Sequence, residues 1–186
     1  QTMVCDLTGL PLANSSMLDE GTSAGEAMAM CVSILRDKRK TFYVADDCHP
    51  QTIAVVQTRG ASLGVKIVVG SVDSFDLMNP DAAGVLVSYP TTDGRVECYE
   101  KLTNEAHANG MMVVAAADLL ALTLLKAPGE WGDTGADIVV GSAQRLGVPM
   151  GFGGPHAGYM ATREEHVRKM PGRLVGVSVD SHGNPA

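Results

Sequence analysis

The chain has 186 residues, 45% hydrophobic and 19% charged, with a formal net charge of −7. That is ordinary globular material, long enough for one α/β core, and an acidic balance without a basic stripe excludes a nucleic-acid surface. The apolar runs Met111–Ala117 and Leu119–Leu125 are split by Asp118, which leaves no span for a bilayer.

Cys5, Cys31, Cys48 and Cys98 lie far apart, with no C-x-x-C and no metal-ligand spacing to a histidine. They read as packing or edge thiols in a reducing compartment. The sequence opens on Gln1 and stops at Pro185-Ala186 without a closing element. Residues 1–186 therefore read as a piece of something longer, one domain or the larger part of one, truncated at both ends.

In chain order, Leu18-Asp-Glu-Gly-Thr22 leads into Ala24–Arg36, whose nearly all-apolar Ala/Met run predicts a buried helix. Thr41–Ala45 reads as a strand and Pro50–Arg59 as a helix opened by Asp47-Cys48-His49. Lys66–Val69 and Val85–Ser88 are short strands, the second ended by Tyr89-Pro90. Tyr99–Asn109 is a helix closed by Gly110, a residue suited to a C-terminal cap. Met112–Ala116, Asp137–Val140 and Tyr159–Thr162 are strands, and Arg163–Met170 is a helix stopped by Pro171-Gly172. Alternating helix and strand predicts an α/β fold, a mostly parallel sheet with helices on both faces.

Four features fall at strand ends, where open α/β sheets place their ligands. Gly21 and Thr22, within Glu20-Gly-Thr-Ser23 at a helix start, could cradle a phosphate with backbone N–H groups. The competing reading is plain N-capping by Thr22 or Ser23. His49 begins a helix just past a strand, where a lone histidine reads as a capping or satisfied surface residue. Asp118 follows an apolar strand and needs a cation or a donor, or else caps the turn at Leu119–Leu122. Ser142, Gln144 and Arg145 end the strand Ala-Asp-Ile-Val-Val-Gly-Ser142, where the arginine's alternative use is a salt bridge.

An apolar strand, a serine, two spacers, a cation and a glycine-rich return resemble the cofactor-lysine strand of fold-type I PLP enzymes. Those enzymes end the strand Ser-x-His-Lys, and the lysine amine forms a Schiff base with the cofactor. Here Gln144-Arg145 replaces His-Lys. A guanidinium stays protonated and offers no lone-pair amine, so it cannot do that job. By the same resemblance, His49 would stack on the pyridine face and Asp118 would meet the pyridine nitrogen.

Longer stretches sharpen the resemblance: Ser15–Ala27, Cys48-His-Pro-Gln-Thr52, Ala106-His-Ala-Asn-Gly110, Asp118–Leu122, Gly129–Gly154 and Met170–Asp180. Together they closely resemble the P-protein family of the glycine cleavage system, over essentially the whole chain. The match is to the N-terminal half of that family, which carries Gln-Arg where the catalytic half carries His-Lys. Trp131-Gly-Asp-Thr134 reads as a slightly longer loop than the family's, outside the site.

For the full protein the resemblance implies PLP-dependent glycine decarboxylation with aminomethyl transfer to lipoylated H-protein. Pyridoxal 5′-phosphate would be held covalently in the other half. This segment would supply no catalytic residue; it would complete a dimer-like interface with a C-terminal catalytic half or a second subunit. Gly21, Thr22, His49, Asp118, Ser142 and Gln144 would form a remnant pocket, with Arg145 in the lysine position. Pro171–Asp180 and Cys48–Thr52 look most like plant and algal versions, implying the mitochondrial matrix; a bacterial version would be cytosolic. An independently active PLP transferase needs a lysine on the Ser142 strand end, and a non-enzymatic scaffold would not co-purify with a catalytic half.

Overall fold

The computed structural model describes residues 1–186. Its sheet strands are β1 (Leu12–Ala13), β2 (Thr41–Ala45), β3 (Lys66–Gly70), β4 (Ala82–Tyr89), β5 (Met112–Ala117), β6 (Ile138–Ser142) and β7 (Gly158–Thr162). The helices are α1 (Thr2–Thr8), α2 (Glu20–Ile34), α3 (Pro50–Leu63) and α4 (Glu100–Ala108). The strands form a single sheet in the order β1-β7-β6-β5-β4-β2-β3. Neighbours from β3 to β6 are parallel, while β7 runs antiparallel to both β6 and β1. The expected mostly parallel α/β sheet is present.

Every residue of β2, β4, β5 and β7 is buried, as strands covered on both faces require. The covering follows from handedness. The chain steps one way along the sheet from β2 to β3 and the other way from β4 to β5. Right-handed crossovers then put α3 and α4 on opposite faces. Helix α2 packs against α3 and lies across β4–β7. Its small residues Ala24, Gly25 and Ala27 are buried and allow the close approach. No helix is long and apolar enough to cross a membrane.

The structure moves several boundaries. Helix α2 starts at Glu20 because Asp19 caps it, and it ends at Ile34, where Arg36 and Asp37 turn to positive φ. Helix α3 runs past Gly60 to Leu63 and closes on Gly64 at φ 66°. Gly60 is no helix breaker; a Cβ there would sit 2.6 Å from Ile67 of β3, so the glycine lets helix and strand touch. The expected helix over Arg163–Met170 is a 3-10 stretch, Glu164–Lys169. The residue before it is pinned, because the Arg163 guanidinium is spent on Asp137 and on the carbonyls of Thr134 and Gly135. Helix α1 and the two-residue β1 carried no clear periodic signal.

At the amino end of β6 a charged staple joins three elements. The Asp137 carboxylate accepts from the Val113 N–H at 2.7 Å, from His107 Nε2 at 2.8 Å and from Arg163 Nε at 2.8 Å. A carboxylate only accepts, so His107 Nε2 carries a proton and, in the neutral ring, Nδ1 accepts from Thr134 Oγ1 at 2.8 Å.

Candidate functional site

A cavity of about 620 Å³ opens at the carboxyl edge of the sheet. His49 reaches it from the end of β2, Ser88 and Pro90 from β4, Asp118 from β5, and Ser142 with Gln144 and Arg145 from β6. Sequence order reverses across this edge between β4 and β2, the place where such sheets bind ligands. A second cavity of about 360 Å³ shares Glu20, His49, Ser142 and Gln144 with the first and adds Gly21, Thr52 and His156 among its walls. The two form one cleft.

The structure thus gathers His49, Asp118, Ser142, Gln144 and Arg145 around one space and brings Gly21 to its side wall. Thr22 lines neither cavity. Asp19 is the cap of α2, in place of Thr22 or Ser23: its Oδ1 accepts the Thr22 N–H at 2.7 Å, and Thr22 Oγ1 accepts from the Asp19 N–H at 3.3 Å. This reciprocal capping box uses an N–H that an anion would need. Any phosphate at this helix start would also meet the Asp19 and Glu20 carboxylates.

Asp118 performs both roles open to it. Oδ1 accepts the Leu120 N–H at 3.0 Å and caps the turn, while Oδ2 accepts from Arg145 Nη1 at 2.7 Å. The Arg145 side chain is 62% exposed and that of Asp118 26%. The pair is therefore half-solvated, and its worth is under about 1 kcal/mol. Ser142 Oγ accepts the Gln144 N–H at 3.1 Å, and Gln144 Nε2 donates to the Pro155 carbonyl at 2.9 Å, tying back the glycine-rich return. His49 shares a 2.8 Å hydrogen bond between Nδ1 and Thr92 Oγ1 and lies 3.8 Å from Glu20 through Nε2.

Glycines set the floor. A Cβ at Gly141 would overlap the Ala117 carbonyl and lie 2.8 Å from the Tyr159 ring. The missing side chain lets Tyr159 cross beneath β6 and donate its hydroxyl to Ala117 at 2.8 Å. Burial holds the Tyr159 hydroxyl well above the usual tyrosine range, with the Glu20 and Asp118 charges adding to it, so it stays a neutral donor. Gly158 does the same on the neighbouring strand, where a Cβ would meet Asp19 O at 2.7 Å. That contact seats the start of α2 against the sheet. The Cys48 thiol is buried and pushed well up by desolvation, which removes it as a nucleophile.

Sequence reasoning missed Tyr159, Ser88, Pro90 and the Gly147–Met150 wall. Only the last carried a signal, the clustered glycines. No lysine lines either cavity. Lys126 is bonded to Glu100 and lines a separate small hollow beside Trp131. The cleft has the size of a cofactor site but lacks the amine, and its helix start carries its own carboxylates. These residues do not fit covalently held PLP.

Comparison with known proteins agrees with this architecture. The family model described as glycine cleavage system P-protein matches residues 1–186. A mitochondrial glycine dehydrogenase (decarboxylating) of Flaveria pringlei is 59% identical over the whole chain, and the chain spans 18% of that relative. Glycine dehydrogenase (decarboxylating) of Synechocystis sp. is 54% identical, again over the whole chain and 18% of the relative. A crystal structure of glycine decarboxylase (P-protein) of the glycine cleavage system, in inhibitor-bound form, superposes with a TM-score of 0.91 at 36% identity. It is matched over all of this chain and 42% of its own. A family match across the full length, together with a solved P-protein on the same α/β frame, leaves a single conclusion: the chain belongs to the glycine cleavage system P-protein family.

Proposed function

We propose that this segment is the non-catalytic, N-terminal half of a PLP-dependent glycine decarboxylating enzyme. The observation that carries the reading is Arg145, paired with Asp118 at the end of β6 where a cofactor lysine would stand. In this reading PLP is held by a lysine elsewhere in the full protein and serves there as the electron sink for glycine decarboxylation. The aminomethyl group passes to lipoylated H-protein, and this half completes the active-site interface of a homodimeric assembly. The segment covers 42% of the solved P-protein chain but 18% of the Flaveria chain. The plant chain is thus more than twice as long, with room for a second half of similar size. The plant relatives are named mitochondrial and the cyanobacterial one is not, which favours the mitochondrial matrix for a plant-like chain.

The test is chemical trapping. The purified segment mixed with PLP and treated with borohydride should yield no stoichiometric phosphopyridoxyl adduct, and Arg145→Lys should not create one. A stoichiometric adduct on any lysine of the native segment would overturn the reading and favour an independently active PLP transferase. A full-length protein that never co-purifies with decarboxylating activity would favour the scaffold alternative.

Arg145 is structural in this scheme. Arg145→Met should lower the unfolding free energy by less than about 1 kcal/mol, since the lost pair is half-solvated. Glycine–CO2 exchange per assembled full-length enzyme should fall only slightly. Denaturant melts and exchange assays of the same preparation check both statements.

A further inference from the structure

The chain has three phenylalanines. Phe42 and Phe75 are buried in the core, whereas Phe152 is fully exposed. Its backbone is held at φ 51°, in the left-handed region that bulky residues rarely occupy, between Gly151 and Gly153 at φ 105°. Two residues earlier Met150, 96% exposed, forms a section of the cavity wall together with Val148 and Pro149. Leu124, past the carboxyl end of β5, is 91% exposed. An isolated exposed apolar side chain is unremarkable. Here, however, an aromatic ring and a thioether share one short loop at the wall of the cleft, and strain of this kind persists only where something holds it.

We infer that the glycine-rich loop Gly147–Gly154 is a plug whose Met150 and Phe152 insert into an apolar recess of the P-protein chain outside these 186 residues, closing the cleft from above. The occupant is the remainder of the same protein, and a second copy of this segment is the alternative that the test below tells apart. The relatives carry more than four-fifths of their length outside the matched region, so cover is available in the same polypeptide. The ridge is also one-sided: the Gln144 side chain bonds the Pro155 carbonyl and ties the loop's return to the β6 end, which leaves Phe152 pointing away from its own core. The flanking glycines supply the sharp turns that present two closely spaced anchors, and buried aromatic anchors of this sort carry most of an interface's energy.

This inference rests on the reading of the segment as one half of a larger enzyme, so its test is made in the full-length protein. A photoreactive p-benzoyl-phenylalanine is placed at position 152, the protein is irradiated and digested, and the joined peptide is sequenced by mass spectrometry. The expected product links position 152 to a peptide from outside residues 1–186. A link to these 186 residues of a second copy, a link to an unrelated protein, or recovery of unlinked peptide alone would each overturn it. Phe152→Ser in the same protein should raise the reactivity of a Met150→Cys thiol toward maleimide by at least tenfold, whereas an already exposed loop would show no change. Glycine–CO2 exchange by the unmodified protein, assayed in parallel with lipoylated H-protein, separates the two failures. Absent exchange sinks the functional reading, while normal exchange with a misplaced link sinks only the plug.

Discussion

Asp137→Asn should be the most damaging conservative change in the segment, lowering the unfolding free energy by about 3 kcal/mol, as expected for breaking a buried ion pair. The Asp137 side chain is 8% exposed and receives three donors from three elements. An asparagine has one acceptor oxygen, so its amide nitrogen must face the Val113 N–H, His107 or Arg163, leaving donors opposed at the amino end of β6. Burial alone would raise the Asp137 carboxyl. The His107 hydrogen bond, the Val113 N–H and the His107 and Arg163 charges outweigh it and hold the group below its ordinary value of 3.8. The sign follows from linkage: a depressed carboxyl adds stability that is complete above the unfolded value and is lost as pH falls through the folded one. Native protein should therefore lose stability more steeply below about pH 3.8 than Asp137→Asn does. Equal acid slopes in paired denaturant melts would refute the assignment.

Trp131→Ala should cost about 3–5 kcal/mol, the usual range for deleting a buried indole. Trp131 is 2% exposed and packs edge-on to Tyr89 at 4.9 Å and tilted against Tyr99 at 5.2 Å. Tyr99 in turn donates its hydroxyl to Ser88 O at 3.1 Å, so the cluster braces the end of β4 that supplies Ser88 and Pro90 to the cleft. Trp131→Phe should recover more than half of the loss. As the single tryptophan of the chain, Trp131 reports its own burial, and its emission should shift in step with the circular dichroism of unfolding. An alanine variant with an unchanged melt would show that the aromatic cluster does not brace the sheet.

The sheet was legible because β-branched and small apolar runs at Thr41–Ala45, Met112–Ala117 and Ile138–Val140 leave little choice of period. The gathering of His49, Asp118, Ser142 and Gln144 followed from their places at strand ends, and the Asp118–Arg145 contact from the need of a half-buried carboxylate for a donor. What escaped has a common cause. Asp19 as cap, Gly60 as a contact point and Tyr159 beneath Gly141 depend on which surfaces meet across the fold, and no local pattern reports that. The burial of Trp131 likewise had no local signal, because it comes only from the crossing of β4, α4 and the β5–β6 connection.

The capping box at the start of α2 has a consequence for how such a segment can change over time. Placing a lysine at position 145 would supply an amine, yet a phosphate would still be repelled by Asp19 and Glu20. Removing Asp19 first would strip a helix cap, at a cost of about 1 kcal/mol, and provide nothing in return while Arg145 remains. Neither single step is favoured without the other. On the proposed reading the two obstacles are coupled, so single changes in this cleft lead more readily toward new contacts than toward a second cofactor site.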